Sequence, residues 1–178
     1  MKYYFYLIIF LVIFLIPTLK NAEAATGLTA ERGASNNTPN SWENAQEARG
    51  TSDDNKYATA SFLLLVGTIS GDWGGYGFDG SIPLGAEITK VLVIPQYKEA
   101  GVLSVGSGLS IAPLVSGEVC AAVTDTVFRS SDTDFSAEFT SCRGWTRNDF
   151  LDSNFKVRLT ARSVLAVIIT FSVDRIRV

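Results

Sequence analysis

The chain has 178 residues, 47% of them hydrophobic, a formal net charge of −3 and no histidine. Lacking histidine, it cannot host Ser-His-Asp or Cys-His catalysis or a His-ligated metal, and two cysteines alone cannot build a structural zinc site. Its Lys and Arg residues form no tract, so nucleic acid, whose phosphates require concentrated positive charge, is not an expected partner.

Lys2 gives a positive start to the run YYFYLIIFLVIFLI, residues 3–16, which Pro17 ends. Ala22 and Ala24 place small residues where a signal peptidase reads, so residues 1–24 are expected to be a secretory signal peptide cut after Ala24. The rival reading is an uncleaved membrane anchor, for which the run falls short of the roughly 20 residues a spanning helix needs. Removing the leader leaves 154 residues with 13 basic and 17 acidic side chains, net −4. That length suits one domain with one substantial core. Residues 25–41, ATGLTAERGASNNTPNS, are small and polar and are expected to form a flexible arm.

From Trp42 onward, strand-like pieces alternate with turn residues. Short helical turns are expected at WENAQEA (42–48) and TRNDFLD (146–152). Strands are expected at TASFLLLVG (59–67), YGFDG (76–80), EITKVLVIPQYK (87–98), SGLSIAPLV (107–115), EVCAAVT (118–124), NFKVRLTAR (154–162) and AVIITFSVDRIRV (166–178), with a Pro/Gly turn in SIPLGAE (81–87). In NFKVRLTAR, Phe155, Val157, Leu159 and Ala161 share one face while Lys156, Arg158, Thr160 and Arg162 share the other, the period-two signature of a half-buried strand. Many short strands with polar turns predict an all-β fold: a single antiparallel β-sandwich, jelly-roll-like, over residues 42–178.

Three strands break the alternation. FLLLV (62–66) and AVIIT (166–170) are apolar on both faces. In VLVIPQY, Val91 and Val93 can face the core, which leaves Leu92 and Ile94 outward, and Pro95 suggests an edge. The outer faces are covered either within the domain or by another copy of the chain, for which Leu92 and Ile94 are the candidate residues. Cys120 and Cys142, an even pair in an exported chain, are expected to form a disulfide.

WENAQEARGTSDDNKYATA (42–60), YGFDGSIPLGAEITKVLV (76–93), GWTRNDFLDSNFKVRLTAR (144–162) and SVDRIRV (172–178) together resemble a diffuse family of secreted β-sandwich modules found in extracellular bacterial and archaeal proteins and in phage structural proteins. The likeness covers most of residues 42–178 and lies in the order and spacing of the motifs. The chain departs from it at the Asp79-Gly80-Ser81 insertion, at Arg147 where proline is usual, at the apolar Leu92 and Ile94, and in its cysteine pair. The resemblance implies a scaffold and supplies no activity.

Candidate chemistry is sparse. Strand geometry puts Asp174 on the face of Ile176 and Val178, at the edge of an apolar core. Asp53 and Asp54 precede the first strand, and in a jelly roll the first and last strands run side by side. Asp53, Asp54 and Asp174 could therefore share a structural calcium, the one cofactor expected, or Asp174 could instead accept hydrogen bonds from backbone amides of the Asp53 loop. Trp73 and Tyr76, in the Gly-rich GDWGGYGFDG, are candidates for an exposed platform that stacks on cell-surface glycans, against core packing as the alternative. Asp132, Asp134 and Glu138 form the densest acidic cluster, but nothing indicates the cleft that paired-carboxylate hydrolysis requires. The expectation is a non-catalytic extracellular structural protein that self-associates as a homo-oligomer or filament, in an envelope or adhesive role; the alternative is a carbohydrate-binding module. N-terminal sequencing of the exported protein checks the leader: the first residue is expected to be Ala25.

Overall fold

A computed structural model describes residues 30–37, 40–101 and 106–178, without the side chains of residues 166 and 167. The expected leader and the start of the arm lie outside the described residues. The strands are β1 (Ala58–Gly74), β2 (Val91–Gly101), β3 (Gly108–Val115), β4 (Glu118–Val119), β5 (Val123–Asp125), β6 (Thr133–Asp134), β7 (Ala137–Phe139) and β8 (Phe155–Arg177). All pairings between them are antiparallel, and they form one eight-stranded sheet that curls on itself. The all-β, single-domain expectation holds.

β8 is the hub. On one side it pairs with β1 along nearly its whole length, from Gly74↔Lys156 to Ala58↔Val173. On the other side its first half pairs with β3, from Val115↔Phe155 to Gly108↔Arg162, and its second half with β2, from Gly101↔Ile169 to Ile94↔Arg177. The inward residues of both halves, Phe155, Val157, Leu159 and Ala161, then Ile169, Phe171, Val173 and Ile176, are all buried. The alternation read from NFKVRLTAR is therefore the core face of the molecule.

The β1–β8 ribbon folds back near its middle. Glu43 pairs with Thr59, while two residues earlier the Ser41 backbone N–H donates to Ser70 O at 3.0 Å. Two neighbouring points of the leading segment thus touch both halves of β1, which requires β1 to double back between them. The ladder slips at this bend, with irregularities between Leu63 and Leu65 and between Leu65 and Gly67, and Leu64 takes the left-handed conformation at φ 54°. Bulges of this kind bend a strand without ending it.

Several expectations are corrected. Residues 76–80 are not a strand: Gly75 and Gly77 have φ of 68° and 69°, which no extended ladder accommodates. Their aromatic rings instead fold inward, Tyr76 and Phe78 stacking on each other at 6.3 Å and Phe78 meeting Phe150 edge-on at 5.8 Å. β2 is not an edge, since it lies between β8 and the short strands β6 and β7; Pro95 falls in the gap between those two ladders, where its missing N–H is tolerated. The described part of the expected arm is docked. Arg32 and Val178 exchange backbone hydrogen bonds at 2.9 Å each, and Ser35 and Asn36 donate to Gly74 O. The helical stretches shrink to 3₁₀ turns at Ala45–Ala48 and Arg147–Phe150.

One ion pair crosses the central ribbon. Asp72, 2% exposed, receives two hydrogen bonds from its cross-strand partner Arg158, at 2.6 and 2.9 Å. Replacing Arg158 by alanine leaves that carboxylate buried and unpaired. Because the Arg158 side chain is 36% exposed, the expected loss is about 2–3 kcal/mol, below the 3–5 of a fully buried pair. The Cys120–Cys142 disulfide is present and closes a separation of 22 residues, and its reduction is expected to cost about 3 kcal/mol. Urea unfolding of the variant and of the reduced protein checks both.

Candidate functional site

The structure disposes of the sugar platform. Trp73 is fully buried and Tyr76 is 3% exposed. The Trp73 indole N–H donates to Ala45 O at 3.0 Å and its ring meets Trp42 edge-on at 5.8 Å. Tyr76 packs edge-on to Phe155 at 5.7 Å, and burial pushes its hydroxyl pKa up. Neither ring can stack on a ligand. The positive-φ glycines turn this segment into the core instead of exposing it, so the composition signal had the opposite meaning from the one expected.

Asp174 is where the register of the last strand changes. Val173 pairs with Tyr97 and Arg175 with Gln96, so Asp174 is the extra residue of a bulge. The bulge lets Val173 and Ile176 both face the core. Asp174 is 1% exposed and its Oδ1 has no hydrogen-bond partner, while Gln96, in the amide orientation that satisfies both groups, donates to Oδ2 at 3.2 Å. Burial first, then the charges of Asp53 and Asp54, raise the Asp174 pKa; the Asp54 backbone amide and Arg175 work against this. The first and last strands therefore do bring Asp53, Asp54 and Asp174 near one another. Among the described residues, however, no group of three or more His, Cys, Asp or Glu side chains is arranged to hold a metal ion.

Leu92 and Ile94 are half-buried: Leu92 lies opposite Glu138 and Ile94 opposite Arg177. The open apolar surface is elsewhere, at the bend of the β1–β8 ribbon. Leu63, Leu64, Leu65 and Val66 are 60–66% exposed, and Leu165 and Ile168 on the paired strand are each 56% exposed. They lie in or beside the two segments read as apolar on both faces, and no described residue covers their outer faces. No Asp, Glu, Lys or Arg occurs in residues 57–71 or 163–173. The ribbon beside the bend carries cross-strand hydroxyl pairs instead, Ser61 with Thr170 at 3.1 Å and Ser70 with Thr160 at 2.9 Å. Next to the exposed leucines lies an open hollow of about 590 Å³ lined by Val66, Thr68, Ser110, Thr160, Arg162 and Val164, among others.

A buried polar network was missed by the sequence reading. The Tyr97 hydroxyl donates to Asp125 Oδ2 at 2.8 Å, Arg129 Nε donates to the same oxygen at 3.0 Å, and the Val127 N–H donates to Asp125 Oδ1 at 3.0 Å. Beside it, the Glu99 backbone N–H donates to Arg129 O at 2.6 Å, while Glu99 Oε1 is buried without a partner. Glu99 and Asp125 are each 3% exposed, and this carboxylate pair fastens the segment after β5 to β2. The signal was available: alternation from Val91 through Val93, Pro95 and Tyr97 puts Glu99 inward.

Among the described residues no helix is long and apolar enough to cross a membrane. No protein-family model matches the chain, and no curated protein matches it.

Burial, aided by the charge of Asp125, pushes the Glu99 pKa up to about 7, against the opposing pull of the Arg129 backbone amide and charge. The folded state then holds a proton that the unfolded chain releases near pH 4.5, so stability falls as pH rises from about 4.5 to 7. Glu99→Gln is expected to remove that slope and to add roughly 1–3 kcal/mol at pH 8, with no gain near pH 4. Thermal melts of both proteins across this range check it.

Proposed function

We propose that this chain is a non-catalytic extracellular structural protein that associates with copies of itself. The observation that carries the reading is the charge-free apolar bend of the β1–β8 ribbon, which no described residue covers. The largest apolar patch on a typical monomer covers 300–600 Å², and larger ones mark interaction sites. Six side chains exposing roughly 100 Å² each place this one at the top of that range. The signal-like leader supports export, and the likeness of residues 42–178 to secreted β-sandwich modules supports a scaffold that presents surfaces. The absence of histidine and the closed state of the Glu99–Asp125 pair support a role without turnover. Filament, envelope and adhesive roles all fit such a subunit. The glycan-binding alternative loses its support with the burial of Trp73 and Tyr76.

Sedimentation velocity over a wide concentration range tests the proposal on the chain as the cell processes it. Dimers or larger species that grow with concentration are expected. A single monomeric boundary at the highest soluble concentration overturns the reading.

A further inference from the structure

We infer that the bend of the β1–β8 ribbon is a two-fold docking surface for a second copy of this chain, with the Leu63–Leu65 ridge of each copy seated in the other's adjoining hollow. This rests on the self-association reading and names the surface that performs it. Leu63, Leu64, Leu65, Val66, Leu165 and Ile168 together present roughly 600 Å², so complete burial of two such faces hides roughly 1,200 Å², the lower bound for a specific, stable interface, before the lining of the hollows is counted.

Shape supports the same occupant. The apolar ridge and the hollow of about 590 Å³ beside it adjoin on one molecule, with Val66 belonging to both. A two-fold axis between them sets each ridge against the other copy's hollow. Such a contact uses the same patch twice and closes at two subunits.

Charge permits the closure. Residues 57–71 and 163–173 contain no ionisable carboxylate, ammonium or guanidinium group, so pairing buries no unpaired charge from either segment. Among the described residues Arg162 is the only charged one lining the hollow, and it is exposed. Its aliphatic stem can cover apolar surface while the guanidinium stays in water. Leu64 sits at φ 54°, a conformation that disfavours a side chain, so the ridge is held in place by a strained bulge where glycine would be more comfortable.

The test compares the wild-type chain with Ile168→Glu, Leu64→Gly and Leu92→Lys, the last a control on β2 where lysine faces Glu138. Light scattering and sedimentation give the stoichiometry, and vesicle flotation with phosphatidylcholine–phosphatidylserine mixtures is the second arm. The expected result is a dimer plateau for the wild type and for Leu92→Lys, with association weakened about tenfold or more in the two bend variants. Leu64→Gly is further expected to melt at the same or a higher temperature, because glycine relaxes the bulge; a purely structural Leu64 would give a lower one. A monomeric wild type overturns the self-association reading together with this surface. A wild type that associates equally well in both bend variants overturns the surface and leaves the reading standing. Growth past the dimer that both bend variants abolish overturns the two-fold closure. A monomer that floats with vesicles unless Ile168 is replaced assigns the bend to a bilayer and overturns the inference.

Discussion

The pairing of β1 with β8 is the interaction on which the rest of the structure depends. Every other strand attaches to β8 directly or through β2 or β3, and β8 can serve both only because β1 supports it along the opposite edge. The ladder is long, and its partners lie 115 residues apart in the chain at the Ala58↔Val173 end and 82 apart at the Gly74↔Lys156 end. Such non-local pairing is entropically expensive to form, so the core that it closes has to offset the ordering of two distant segments together. The aromatic cluster around Phe150 and Phe155, the Trp42–Trp73 contact and the Phe62–Phe171 contact across the ribbon supply that burial.

A ribbon that long cannot stay flat over one compact core. It bends, and the bend is where the ladder slips and Leu64 enters a left-handed conformation. Side chains that alternate between core and solvent along a flat strand lose that division at a fold in the strand, because both faces there point away from the body. The exposure of four consecutive residues, Leu63 to Val66, follows from that geometry. Had they been polar, the bend would be an ordinary corner. Being apolar, it is a surface that water covers at a free-energy cost, which the proposed second copy would relieve.

Polar groups inside the fold act mainly as positional devices. Asp72 is satisfied by its cross-strand arginine, Asp125 by a tyrosine, an arginine and a backbone amide, and both fix how neighbouring elements sit. Asp174 and Glu99 are less well served, each with one buried oxygen lacking a partner, and burial raises the pKa of each. These two carboxyls lie close to strand irregularities or to a loop attachment, so their discomfort sits where the register is set and not in the middle of the apolar core.

The sequence by itself determined the all-β class, the core face of residues 155–161, the inward Val91 and Val93, the cysteine pairing and the two doubly apolar segments, because each is a local pattern of period two or a count. It also carried an unread signal for Glu99 in the same alternation. Only the tertiary structure decided that Trp73 and Tyr76 turn inward, that Pro95 sits between two ladders, that Asp174 is a bulge, and that no described residue covers the outer faces of residues 63–66, 165 and 168 while Leu92 and Ile94 are partly covered. The physical reason is that exposure belongs to the whole assembly of strands: a residue's face is set by local alternation, but what lies against that face is set by partners dozens of residues away.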